Sequence, residues 1–242
     1  SYITDISYMF YNLKLLESLD FSVIDTSSVN NMEYLFAYCT KLTSLNLSTL
    51  NTSNTENMKG MFLNCESLSE LDLSNFITHK VKDMTSMFQN CYQLSYLDLS
   101  HFNTNKVLYM TYLFENCKQL TSLNISSFDT HNIKDMKYIF HSCEKLTSID
   151  VSGFDTQFVE DFTYLFYNCK QITSLDLSNF RTNNLKKSTY LSDIFNGCEK
   201  LIYLDLSNWN FSMITFNYNI INTYLTSLRH LNLSKVIFSK NS

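Results

Sequence analysis

A solenoid of the α/β class, with a parallel β-sheet along one face and short helices along the other, is the fold class this sequence predicts. Three observations predict it. A segment Leu-x-x-Leu-Asp/Asn-Leu-Ser recurs nine times with small apolar variation, its central residue falling at Asp20, Asn46, Asp72, Asp98, Asn124, Asp150, Asp176, Asp205 and Asn232. Six successive spacings are 26 residues, followed by 29 and 27, and Cys39, Cys65, Cys91, Cys117, Cys143, Cys169 and Cys198 keep nearly the same period. Within each unit the apolar periodicity changes from every second residue to every third or fourth, as it does when a strand gives way to a helix.

The strand comes first. Leu71 and Leu73 flank Asp72, and Leu97 and Leu99 flank Asp98, so each segment buries one side and exposes the other. About a dozen residues later Met84, Met87, Phe88 and Cys91 stand at i, i+3, i+4 and i+7, and Met32/Leu35/Phe36/Cys39, Met58/Met61/Phe62/Cys65 and Met110/Leu113/Phe114/Cys117 repeat that template. This spacing predicts a two-turn amphipathic helix. Asn31, Asn57, Asp83, Asp135 and Asp161 precede it, where a side-chain oxygen caps the free amides of a first turn; Tyr109 breaks that column.

One strand and one short helix bury too little alone, so the units must stack. Strands in register lie about 4.8 Å apart, which makes a single solenoid of about nine units over residues 1–242 on the order of 40 Å long. Ser1 opens in the middle of a unit, which points to a fragment of a longer chain.

Composition narrows the function classes. Apolar residues make up 45% of the chain without a run of 18, which argues against disorder and against a membrane-spanning helix in this segment. The 18 basic and 23 acidic residues, net charge −5, are scattered and form no basic stripe, so nucleic acid is not an expected partner. With no Pro and 3 Gly, turns must be built by Asn, Asp, Ser and Thr.

Taken together, Leu71-Asp72-Leu73-Ser74-Asn75-Phe76 and Val81-Lys82-Asp83-Met84-Thr85-Ser86-Met87-Phe88-Gln89-Asn90-Cys91 resemble the BspA-like leucine-rich repeat found in mycoplasma lipoproteins and in surface proteins of other low-GC bacteria. The resemblance runs over nearly the whole chain. It implies display at the cell surface or secretion, adhesion or protein binding to a ligand of unknown identity, and no catalytic residues or cofactor. An ordinary leucine-rich repeat carries an Asn ladder after the strand. Here that column is taken as Phe76, Phe102, Phe128, Phe154, Phe180 and Trp209, which packs but cannot bond the turn backbone. A Thr column two residues on (Thr26, Thr52, Thr78, Thr104, Thr130, Thr156, Thr182) is expected to bond it instead.

The seven cysteines contain no Cys-x-x-Cys pair for zinc, and a thiol at i+7 of an apolar stripe behaves as a small buried hydrophobe, so free buried thiols are expected rather than disulfides. The Asp/Asn ladder beside its Ser column could suggest calcium, but a flat strand face offers few converging oxygens, and a solvated hydrogen-bonding ladder is the expectation. His79 and His131 share a column two units apart while His101, His141 and His230 lie in others, so no nucleophile–base constellation forms. Binding is best sought where an outward column varies. Two residues before the ladder the series reads Ser18, Ser44, Glu70, Tyr96, Ser122, Ser148, Ser174, Tyr203, His230, which nominates Glu70, Tyr96, Tyr203 and His230 as a candidate protein-binding face. An adhesion or protein-interaction module predicts this local variation, whereas an architectural spacer holding another domain away from the cell predicts uniform outward columns.

Overall fold

The computed structural model describes residues 2–19, 21, 24–186, 191–212 and 225–238; Asp20 and Ser22 of the strand columns lie outside the described residues. The chain winds in coils that repeat its sequence period. Where leucines flank a polar residue the backbone is extended, and strands β1 (Tyr96–Asp98) and β2 (Ser122–Asn124) pair in parallel, as do β3 (Ser174–Asp176), β4 (Tyr203–Asp205) and β5 (His230–Asn232). The register is that of the sequence repeat: Asp98 opposes Asn124, Asp176 opposes Asp205, and Asp205 opposes Asn232. Between the assigned strands single hydrogen bonds carry the pairing on, as from the Ser95 amide to the Ser69 carbonyl and from Thr173 to Thr147.

The expected short helices do not form. Among the described residues the helical structure is a 3-10 turn at Leu191–Asp193, and the Met-x-x-Met-Phe-x-x-Cys segments are ribbons of successive four-residue turns. In one ribbon the amides of Met84, Ser86, Phe88 and Asn90 donate to Tyr109, Thr111, Leu113 and Glu115 of the next coil at 2.8–3.0 Å. The alternate amides, those of Met87, Gln89 and Cys91, close back onto Met84, Ser86 and Phe88 at 3.2 Å. Ser86 and Asn90 have φ of 57° and 62°, the positive value that the third residue of a type II turn requires.

The physical reason lies in the coil spacing. An α-helix uses its amides on its own carbonyls and is about 10 Å wide, whereas coils stack about 4.8 Å apart. A turn ribbon leaves every second amide free to join the next coil. It still points i, i+3, i+4 and i+7 inward, so it satisfies the same apolar spacing.

Those inward residues form one continuous buried apolar cluster from Ile6 to Leu225. Phe36, Phe62, Phe88 and Phe114 stack face to face at 5.7 Å, 3–13° from parallel, and Phe140, Phe166 and Phe195 continue the column. Each such offset pair contributes roughly 0.5–1.5 kcal/mol beyond the area it buries. A second aromatic spine joins Phe76 to Phe102 and Phe154 to Phe180 to Trp209.

Three ladders of side chains hold the coils in register. Every Thr of the expected column is buried and pairs with the coil ahead: the Thr104 hydroxyl donates to the Asp129 carbonyl at 2.9 Å and accepts the Asp129 amide at 2.7 Å, and Thr26, Thr52, Thr78, Thr156 and Thr182 repeat both bonds. The seven cysteines are free and buried. Each thiol donates backward to a Phe carbonyl 29 residues earlier, or 32 for Cys198, at 3.1–3.3 Å.

The third ladder corrects the sequence reading. The column that bonds the turn after the strand sits one residue before the aromatic spine. Asn75 donates to the carbonyls of Leu47 and Leu50, Ser127 to Leu99 and Phe102, and Asn179 to Val151 and Phe154. Thr and Asn ladders therefore coexist, and Gly153 occupies one rung of the Asn ladder with no side chain to offer.

Candidate interaction surface

The strand face is built by alternation. With the leucines inward, the residues two before, at, and two after the ladder position point outward. At the ladder position the side chain folds back on its own chain: Oδ1 of Asp72, Asp98, Asp150, Asp176 and Asp205 accepts the amide of the Ser two residues on at 2.8–3.0 Å, and Asn46, Asn124 and Asn232 do the same at 3.0–3.3 Å. This Asx turn explains why Asp and Asn alternate freely, since it needs only an acceptor. The Ser74 and Ser100 amides, helped by their hydroxyls, hold the carboxyls of Asp72 and Asp98 below the ordinary range. Among the described residues no three His, Cys, Asp or Glu side chains converge as metal ligands.

Glu70 and Tyr96 meet. They line one recess of about 480 Å³ on the strand face together with Asp72, Asp98 and His101. Tyr96 is 56% exposed, and the backbone that carries it is pinned in β1. His101 Nε2 lies 2.9 Å from the Leu73 carbonyl, so the ring is tied down at the recess edge, and it meets Phe102 edge-on. The recess joins three carboxylates to an exposed aromatic ring, a combination that accepts a cationic side chain by charge and by contact with the ring.

Tyr203 and His230 also meet, as opposed residues of β4 and β5. Tyr203 is already engaged: its hydroxyl donates to Asp205 Oδ2 at 3.1 Å, and Asn232 Nδ2 donates to the same oxygen at 2.8 Å. Burial alone would raise the Asp205 carboxyl, but the Ser207 amide and hydroxyl, Asn232 and Tyr203 outweigh it and leave it lowered. Four coils separate Tyr96 from Tyr203, about 19 Å at strand spacing. The four candidate residues thus form two places on one face. Sequence reasoning missed the parts played by Asp72, Asp98 and His101, although their columns, adjacent to those of Glu70 and Tyr96, held the signal.

The side chains before the turn ribbon, expected as helix caps, do accept amides two residues on: Asn31 from Glu33, Asn57 from Lys59, Asp83 from Thr85, Asp135 from Lys137 and Asp161 from Thr163. The turns they begin are those of the ribbon. Their backbones pair coil to coil, Asp5 with Asn31, Asn31 with Asn57, Asn57 with Asp83, and Asp83 with Tyr109.

A family model described as mycoplasma protein of unknown function, DUF285, matches residues 1–97, 91–209 and 150–237, overlapping spans that leave only the last few residues outside. The chain belongs to that family. Its overlapping matches are what a repeat produces, since the model can be laid along the stack in more than one register. Among curated proteins none matches. Two solved structures are similar in part. A leucine-rich repeat protein from Bacteroides ovatus is 18% identical, with a TM-score of 0.40, covering 95% of this chain and 78% of that one. A leucine rich cell surface protein from Faecalibacterium prausnitzii is 18% identical, with a TM-score of 0.30, covering 99% and 78%. Among the described residues no helix is long and apolar enough to cross a membrane.

Proposed function

We propose that this chain is a single solenoid of about nine units that acts as a protein-interaction module, displayed at a cell surface or secreted, with no catalysis of its own. The observation that carries the reading is the recess at Glu70 and Tyr96. The same outward column is Ser at five other coils, so the fold does not require a carboxylate and an exposed aromatic ring there. An architectural spacer needs no such departure. Exposed aromatic rings held on rigid backbone are the usual anchors of protein interfaces, and nearby carboxylates select the partner's charge.

From three residues before the ladder to two after it, the described strand face carries Glu17, Glu70, Asp72, Asp98, Asp150, Asp176 and Asp205 against a single Arg229. A protein ligand presenting Lys or Arg beside a flat apolar group fits this face. The test is capture from cell-surface extract by the wild-type chain, compared with Glu70→Gln/Tyr96→Ala and with Tyr203→Phe. The reading expects a protein ligand that the first variant loses and the second retains. Capture unchanged by Glu70→Gln/Tyr96→Ala would remove the recess from the account, and no capture by any form would favour the spacer.

A further inference from the structure

Two columns on the flank between strand and turn ribbon are polar at every described position from Thr4 to Lys186 except at one coil. The first reads Thr4, Asn30, Glu56, Lys82, then Lys134, Glu160 and Lys186, with ion pairs at 2.7 Å between Lys82 and Glu56 and between Lys186 and Glu160. The second is the Asn/Asp column that bonds its own turn and bridges to the next coil. Leu108 interrupts the first and Tyr109 the second, side by side and 43% and 57% exposed.

The backbone registers the interruption. On the described junctions from Asp5 to Asp161, each coil but one is joined here by a bridge and by two amide–carbonyl bonds of the type Met84 to Tyr109 and Leu108 to Lys82. Between Tyr109 and Asp135 the bridge and both equivalent bonds, Met110 to Asp135 and Lys134 to Leu108, are missing. Tyr109 also cannot accept the amide two residues on, as Asp83 and Asp135 do. An Asn there could accept that amide, as Asn57 does from Lys59. Tyr109 instead stands, more than half exposed, beside the one described junction in this stretch that lacks these bonds.

On the Leu108 side of the pair lysines predominate, while Tyr109's own column neighbours are Asp83 and Asp135, the first accepting the Thr85 amide and the second paired with Lys137. Leu108 lies between Lys82 and Lys134 in its column, where a carboxylate would be compensated on both sides, and Lys80 and Lys106 occupy the neighbouring column. Glu56 is held below its ordinary value by Lys82 first, with Lys80 and Lys106 adding to it, so these lysines share one field. Lys106 and Lys134 form no ion pair among the described residues.

We propose that this flank is a second docking surface, separate from the strand face, for an acidic protein segment carrying apolar side chains. Tyr109 and Leu108 supply the apolar anchor, and Lys106 and Lys134 receive carboxylates from the partner.

The test uses the whole chain and a synthetic peptide of glutamates interspersed with leucines, followed by fluorescence anisotropy. An all-glutamate peptide and phosphatidylglycerol vesicles serve as comparison probes. The proposal expects the mixed peptide to bind. Tyr109→Asn should weaken it at least about tenfold while raising the thermal midpoint, because Asn supplies a side-chain acceptor for the amide two residues on. Lys106→Glu/Lys134→Glu should weaken it by a similar factor. Equal affinity in Tyr109→Asn overturns the proposal, and so does loss of binding accompanied by a lower midpoint, which would make Tyr109 structural. Equal binding of the all-glutamate peptide or of the vesicles overturns it too, by reducing the site to a general polyanion surface. No binding of the mixed peptide also overturns it. Each of these outcomes leaves the Glu70/Tyr96 reading untouched, since that rests on different variants.

Discussion

Gly153 is the empty rung of the Asn ladder, and filling it should stabilise the protein. A Cβ built at Gly153 meets only the Phe128 and Ser126 carbonyl oxygens at 3.9 Å, and its backbone does not require a positive φ. Residues in the same column donate to carbonyls 28 and 25 residues earlier, as Asn179 does to Val151 and Phe154, so Gly153→Asn should reach Ile125 and Phe128. Two contributions add. Removing a glycine restricts the unfolded chain by roughly 0.4–1 kcal/mol, and each new buried-edge hydrogen bond contributes about 0.5–1.5 kcal/mol. With two such bonds the expected gain is about 1.5–4 kcal/mol, and for a chain of this size each kcal/mol raises the thermal midpoint by roughly 2–4 °C. Gly153→Ala isolates the first contribution, since it restricts the chain but cannot donate. Urea and thermal unfolding of the three proteins measure both. If Asn stabilises no more than Ala, the donor ladder is not a source of stability and the reasoning fails.

Three more outcomes are expected. Thr104→Val keeps the shape but leaves the Asp129 amide and carbonyl without their partner, which should cost about 2–3 kcal/mol, whereas Thr104→Ser should cost much less; urea midpoints decide between them. Burial pushes the Cys91 and Cys198 thiols up to about 12, so alkylation near neutral pH should be slow in the folded protein, and all seven thiols should react after unfolding without reductant. The carboxyls of Asp72, Asp98 and Asp150 are lowered on folding by Ser amides and hydroxyls, so their contribution is present above the unfolded value near 3.9 and is lost as pH falls through the lower folded value. Unfolding midpoints between about pH 5 and pH 2 should therefore fall less steeply in a triple Asp→Asn variant at these positions, which keeps the Asx acceptor without the charge.

Much of this architecture was legible in the residues. A period of 26 sets which residues are neighbours, so the register of Asp98 with Asn124, the burial of Cys91 between Cys65 and Cys117, and the meeting of Glu70 with Tyr96 all follow from column arithmetic. The Thr column was legible by chemistry, because a turn without an Asn still needs a group that both donates and accepts. The turn ribbon was not. Inward residues at i, i+3, i+4 and i+7 describe an α-helix and a pair of four-residue turns equally well. The discriminating signal lay between them: Gly60 and Asn64, and the Asn90, Asn116 and Asn168 that repeat the latter, are poor helix formers placed where φ is positive. The recess itself was also hidden, since column arithmetic brings Glu70 beside Tyr96 without saying that His101 closes in on them.

The coils bond to one another on the turn side as well as on the strand side. Hydrogen-bond scalar couplings in a deuterated, isotope-labelled sample report donor and acceptor directly. The structure predicts a coupling from the Phe88 amide to the Leu113 carbonyl, 25 residues ahead, with matching couplings from Phe62 to Met87 and from Phe114 to Ile139. A coupling from the Phe88 amide to the Met84 carbonyl instead would restore the helix and contradict the account.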